Sequence, residues 1–274
     1  MSKTISTFVV AALAALSGQA LAGEVSTTFL ATNGTLGYVF ESGTTGAQSG
    51  ELSLADPPEA IQAISNGING RVILHGSRTD GTGVWYYLNR NGSSLTTSEF
   101  AQTDAWYNSF TLAGERMFAV KNVANDFDQI VELDPFSFAE IGSIGSFDIG
   151  IGGIAWVPEL GEFIVSDTRT NTFFGISMSD AQTSTTLREI GSAGLRWGGN
   201  GLEYDNGHVY GTGIRGEDMM LVFGEVNLQT GAFEVQRVLG DAARAGVGFG
   251  IIPSPGALSL LGMGGLLVSR RRRH

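Results

Sequence analysis

Short apolar runs, broken by Gly- and Asn-rich turns, recur along the chain at an interval close to 45 residues. One kind of run opens on glycine: Gly153-Ile154-Ala155-Trp156, Gly201-Leu202-Glu203-Tyr204 and, more loosely, Gly248-Phe249-Gly250-Ile251. Weaker matches stand at Ser109-Phe110-Thr111-Leu112 and Ala60-Ile61-Gln62-Ala63-Ile64. A second run follows each after a polar turn. It reads Arg71-Val72-Ile73-Leu74, Met117-Phe118-Ala119-Val120, Phe163-Ile164-Val165 and His208-Val209-Tyr210, and Val72, Met117, Phe163 and Val209 lie 45, 46 and 46 residues apart. The turns hold Asn66-Gly67, Ala113-Gly114, Leu160-Gly161 and Asn206-Gly207; Gly and Asn tolerate the positive φ that tight hairpins demand. A third run comes next, at 84–88, 129–133, 172–176 and 221–226, and turns such as Asn91-Gly92 and Thr230-Gly231 lead into a fourth.

Four short antiparallel strands in about 45 residues are the signature of a β-propeller blade. A β-sandwich or a solenoid is the competing arrangement. The repeating body, residues 23–252, has room for about five such blades, or six with a poorly matched first one. The strands expected at 28–31 and 36–40 lack a Gly-led strand before them, and the run at 246–252 comes last. These segments are therefore expected to pair. The expectation is an all-β β-propeller of about five four-stranded blades, closed by pairing of N- and C-terminal strands, which removes open sheet edges. In its Gly-x-Ala/Glu-aromatic starts and the strand end Val165-Ser166-Asp167, the body resembles the broad six-bladed group of sugar-lactone-hydrolysing propellers.

The two ends carry different patterns. Residues 1–22 read as a secretory signal peptide: Lys3, the apolar stretch FVVAALAAL at 8–16, and Ala20-Leu21-Ala22 as a small-x-small site for signal peptidase. Cleavage set by Ala20 and Ala22 would leave Gly23 as the mature N-terminus. Residues 253–274 begin with Pro253, Ser254, Pro255 and Gly256, continue through the apolar ALSLLGMGGLLV at 257–268, and end in Arg270, Arg271, Arg272, Arg273 and His274. Twelve helical residues cover only about 18 Å of a roughly 30 Å hydrocarbon core. The four arginines would stay cytoplasmic with the body outside. This ordered tail, behind a signal peptide, resembles the PEP-CTERM sorting signal of Gram-negative bacteria, with Ser254 where the motif's usual Glu would stand. The resemblance implies recognition by an exosortase, transient anchoring in the inner membrane, removal of the tail, and delivery to the cell surface or extracellular matrix. A simple C-terminal transmembrane anchor is the alternative.

Composition narrows the chemistry. With 42% hydrophobic and 16% charged residues the chain is too apolar for disorder. Cys is absent, which excludes disulfides, Cys-ligated zinc, iron–sulfur clusters and thiol catalysis. The formal charge is −11; without Lys3 and the four terminal arginines, 11 basic residues face 27 acidic ones, a body charge of −16. So acidic a body repels nucleic acid and attracts cations.

Candidate sites are few. His75, His208 and His274 are dispersed, no HExxH or GxSxG motif is present, and the glycine-rich stretch 191–201 reads as turns crowded against a central axis. Asn125, Asp126 and Asp128 form a polar insertion that could act as a calcium loop, with Asp167 at a strand end of the following repeat. In lactone-hydrolysing propellers an Asn before a Gly-led strand helps hold the catalytic metal; Asn200-Gly201-Leu202 is similar, although the equivalent place one repeat earlier is Gly152. Trp156 alternates with Ile154 as a core residue, whereas Trp106 and Trp197 precede strands where sugar rings could stack. The sequence thus points to an exported, surface- or matrix-associated, non-catalytic propeller that binds matrix polysaccharide or surface proteins. No cofactor is expected beyond a possible Ca²⁺ acting on the acidic body. A metal-dependent hydrolase of lactones or phosphoesters is the alternative.

Overall fold

Twenty β-strands and no helix make up the described part of the chain, residues 28–33, 36–41, 51–55, 60–68, 70–78, 80–91, 94–123, 127–178, 187–196, 201–241 and 248–252 of a computed structural model. The first three strands are β1 (Thr28–Asn33), β2 (Leu36–Glu41) and β3 (Glu51–Ala55). Four sets of four follow. The first set is β4 (Ala60–Asn66), β5 (Val72–Ser77), β6 (Gly83–Asn91) and β7 (Ser94–Thr103). The second is β8 (Trp106–Ala113), β9 (Arg116–Val123), β10 (Phe127–Leu133) and β11 (Glu140–Phe147). The third is β12 (Ile151–Val157), β13 (Glu162–Asp167), β14 (Thr172–Ser177) and β15 (Arg188–Ser192). The fourth is β16 (Leu202–Asp205), β17 (His208–Arg215), β18 (Met220–Val226) and β19 (Phe233–Asp241), and the last strand is β20 (Phe249–Ile252).

Within each set the strands pair antiparallel in chain order. Local chemistry explains the sharp hairpins. Asp205 pairs with His208 across a two-residue turn in which Asn206 has φ 50° and Gly207 φ 93°, a mirror-image turn that suits the natural twist of the strands. The first strand of three sets carries a register shift at the same place, leaving Gln62, Asn108 and Gly152 as the extra residue. Such bulges sharpen the local twist, so the repeat extends to an irregularity as well as to the strands.

Among the described residues the hydrogen-bonded sheets number four, not the five separate blades expected. Three are the four-stranded sheets β8–β11, β12–β15 and β16–β19, and the fourth is eight-stranded, in the order β20-β1-β2-β3-β7-β6-β5-β4. The fusion has a local cause: β3 lies parallel to β7 over Leu54↔Leu95 and Ala55↔Thr96, which joins the outer edges of two four-stranded units. The C-terminal segment forms a strand only at Phe249–Ile252, shorter than the stretch expected from 246, and it pairs antiparallel with β1.

Apolar layers fill the spaces between neighbouring units. Ala63 and Trp85 meet Phe110 and Met117; Phe118 and Ile130 meet Ile154 and Phe163; Ala155 and Ile164 meet Leu202 and Val222. The two faces of β1 serve different layers, Phe29 packing with Phe249, Tyr210 and Phe223, and Leu30 with Ile61, Leu74 and Val84. The leading strands β4, β8, β12, β16 and β20 lie side by side in that order, and β20 also neighbours β4. Free edge N–H groups there are met by hydroxyls from the strand before: Ile154 donates to Ser109 Oγ and Trp156 to Thr111 Oγ1, each at 3.2 Å. The result is an all-β chain with its sheets in a propeller arrangement.

Candidate functional site

Where the leading strands end, residues near their ends line an open pocket of about 420 Å³. Ser65 and Asn66 come from β4, Thr111 from β8, Trp156 from β12, Glu203 and Tyr204 from β16, and Ile251 from β20. The site is therefore axial, built from five strands distant in sequence. Glu203 is its chemical centre. The residue is only 7% exposed, yet its carboxyl carries an Oε1 with no hydrogen-bond partner. Burial pushes this group up to about 8; the charge of Asp205 adds to the shift, and hydrogen bonds from the Ser65 hydroxyl and the Ile251 N–H oppose it. The Asn66 Oδ1 is a second buried oxygen without a partner on the same wall. The Tyr204 hydroxyl is held, donating to Glu159 and accepting from the Gly207 N–H at 3.0 Å.

A second cleft of about 430 Å³ runs beside Glu159, Glu162, Arg188 and Gln229. There the Arg188 guanidinium is paired with Glu162, and Glu159 accepts from the Tyr204 hydroxyl. The axial cavity is distinguished by acceptors that nothing in the described chain meets.

The sequence-derived candidates fall elsewhere. Asp128 is buried, not at an exposed tip, and its Oδ2 accepts from the Ile151 N–H of the next sheet at 2.6 Å. Burial raises it to about 6, with the Ile151 bond and the Arg169 charge opposing and Asp167 reinforcing. Asp167 is likewise engaged: Oδ1 accepts from the Gly150 and Arg169 N–H groups at 3.0 Å, and Oδ2 from the Thr170 hydroxyl at 2.6 Å. Both aspartates thus fasten the strand lead-in at 150–151. Their intended calcium partners Asn125 and Asp126 lie outside the described residues, as do Asn200 and Trp197. Trp106 is half-buried at the start of β8. Trp156, expected in the core, packs against Phe163 at 5.0 Å between ring centroids but also faces the axial cavity. Ala20, Ala22, Pro253 to Gly256 and Arg270 to Arg273 also lie outside the described residues.

His75 sits in a closed aromatic nest with Trp85 and Tyr107. Its Nδ1 lies 3.1 Å from the Tyr107 carbonyl, and burial lowers it to about 4. The ring is neutral at ordinary pH, Nδ1–H donating and Nε2 unpartnered. Among the described residues no three or more His, Cys, Asp or Glu side chains gather as a metal site. Nor, among them, is any helix long and apolar enough to cross a membrane.

Sequence reading passed over Glu203 and Asn66 as site residues. The available signal was a carboxylate at 203, where the preceding repeat places Ala155 in the same Gly-led strand.

No protein-family model matches the chain, and no curated protein matches it. Similarity is found among solved structures. One chain of a nidogen/laminin complex aligns over 83% of this chain and 99% of its own length, with a TM-score of 0.53 and 8% identity. An exo-β-1,3-galactanase from Phanerochaete chrysosporium aligns over 76% of this chain and 62% of its own, with a TM-score of 0.47 and 12% identity. The Dos1 propeller aligns over 78% and 69%, with a TM-score of 0.39 and 10% identity. At such identities the likeness concerns fold alone. The chain is an all-β protein of propeller architecture.

Proposed function

We propose that this protein is an exported, surface- or matrix-associated, non-catalytic β-propeller that serves as a binding module. In this reading signal peptidase removes residues 1–22, and an exosortase cuts the tail at 253–274 after a transient stay in the inner membrane. The observation that carries it is the order of parts in one chain: a signal-like start, a repeating body, and a Pro-x-Pro, apolar, Arg-cluster end. The acidic body supports solubility outside the cell. Matrix polysaccharide and surface proteins are the partners this setting offers, with Trp106 and Trp197 as stacking candidates. A metal-dependent hydrolase would need carboxylates and Asn converging on the axis from three or more blades; the axial cavity has Glu203 and Asn66, from two strands.

Fractionation of cells producing the full chain, or the chain cut after Ile252, tests the sorting part. The full chain is expected to pass through the inner-membrane fraction before reaching the surface. The shortened chain should skip the membrane stage and collect in the periplasm. Identical distributions of the two would refute the sorting assignment.

A further inference from the structure

Both ends of the propeller body leave it by the same face. The leading strands β4, β8, β12 and β16 end in hairpin turns that carry the chain outward to β5, β9, β13 and β17. β20 lies beside β4 and β16 as a fifth leading strand, but its outward neighbour is already in place, because β1 pairs with it. The chain beyond Ile252 therefore leaves where the other leading strands turn. Ile251 lines the axial pocket there, together with Asn66, Gly114 and Pro158 from the ends and turns of β4, β8 and β12. Thr28, the first residue of β1, is the register partner of Ile252. The segment that follows the signal-like start thus enters beside the exit of the sorting-like tail, at the rim of the pocket. The second cleft opens on this face too, since Leu160 and Gly207 of the same set of turns line it.

We propose that, while the tail is in the inner membrane, this face is held flat against the bilayer and closed to macromolecular partners, and that removal of the tail opens it. The inference rests on the sorting reading above. Only residues 253–256 separate Ile252 from the apolar stretch at 257–268. Fully extended, four residues reach about 14 Å, and the headgroup layer takes up roughly 5–7 Å of that. Each four-stranded unit extends about 14 Å outward from its leading strand, at about 4.8 Å per strand. A tether near the centre of a face, shorter than the radius of that face, prevents the body from turning on edge. The bilayer adds no hold of its own. The turns bring Glu115, Glu159 and Asp205 to this side, whereas the cations Arg116 and Arg188 there are paired with Glu132 and Glu162. Carboxylates repel anionic headgroups, so the face parts from the membrane once the tether is cut.

Thiol labelling tests it, because the chain has no Cys and a single introduced one is a clean probe. Glu115→Cys marks the turn between β8 and β9 on the pocket face, and Glu217→Cys the turn between β17 and β18 at the opposite end of the strands; both positions are exposed. Each variant, as the chain from Gly23 to His274, is reconstituted into vesicles of phosphatidylethanolamine and phosphatidylglycerol. The floated protein is then treated with a small maleimide or one carrying a long polyethylene glycol. The small reagent should label both alike, which shows that both turns are exposed in folded protein. The bulky reagent should label Glu115→Cys severalfold more slowly than Glu217→Cys. Inserting about twenty Gly and Ser residues after Ile252 adds a mean reach of about 25 Å, and should bring Glu115→Cys up to the rate of Glu217→Cys while the protein still floats. Equal rates with the bulky reagent in the floated chain without the insert would overturn the inference alone. A slow rate that persists with the long spacer would overturn it as well, since the tether would not be the cause. Protein that does not float with the vesicles would instead refute the anchored stage of the sorting reading, and the inference with it.

Discussion

Glu203 shows how one side chain can set the pH response of a fold. Its ordinary value is 4.5, and in the folded protein burial holds it near 8. Between those values the native state keeps a proton that the unfolded chain releases, so stability falls as pH rises through this window, by about 1.4 kcal/mol per pH unit. His75 acts with the opposite sign. Its folded value near 4 lies below the ordinary 6.5, so stability is lost as pH falls from 6.5 towards 4. Asp128, raised from 3.8 to about 6, loses stability with rising pH only below 6. Above pH 6.5 Glu203 therefore acts without these two. Urea unfolding at pH 6.5 and pH 8 should show the protein losing about 1.5 kcal/mol, with Glu203→Gln nearly flat over the same interval. Equal losses in both proteins would show that Glu203 is not the source. None of this was legible from residue spacing. The repeat places 203 on a Gly-led strand, but only the convergence of five such strands shows that its side chain meets Ser65 and Ile251.

At the scale of elements, the glycines that open the leading strands matter chiefly for the space they leave. A Cβ on Gly250 would stand 2.6 Å from the Ile64 carbonyl oxygen, and one on Gly201 would stand 2.8 Å from that of Phe249. Both neighbours are backbone and cannot swing aside. Gly250→Ala should therefore destabilise the protein by about 1–3 kcal/mol. Gly216→Ala, where an added Cβ meets nothing within 4 Å, should change it by less than about 0.5 kcal/mol. Melting curves of the two variants check the contrast, and equal shifts would contradict the close packing of leading strands. The same glycines made these strands readable. The period fixed the places of β5, β9, β13 and β17 because each pairs a positive-φ-tolerant turn with a Val- or Phe-rich run. β3 escaped notice because its unit is divided between the two ends of the chain, so the polar-led Glu51–Ala55 has no adjacent repeat to match. Its parallel contact with β7, which reduces the sheet count to four, is a tertiary event outside the antiparallel repeat.

Across the whole molecule, packing and charge have separate roles. Aromatic and branched side chains fill every layer between units, and the last strand joins the first through Phe29, which stacks on Phe249 at 5.5 Å. Stability thus rests on packing without disulfides. The excess of carboxylates gives the molecule a net negative charge that attracts cations. Export followed by release from the tail is the central claim, and the intact mass of the protein recovered from the cell surface or medium tests it most directly. The mass should correspond to a chain that begins at Gly23 and has lost Arg270 to Arg273 with the apolar stretch before them. A mass that retains the arginine cluster on protein found outside the cell would contradict it.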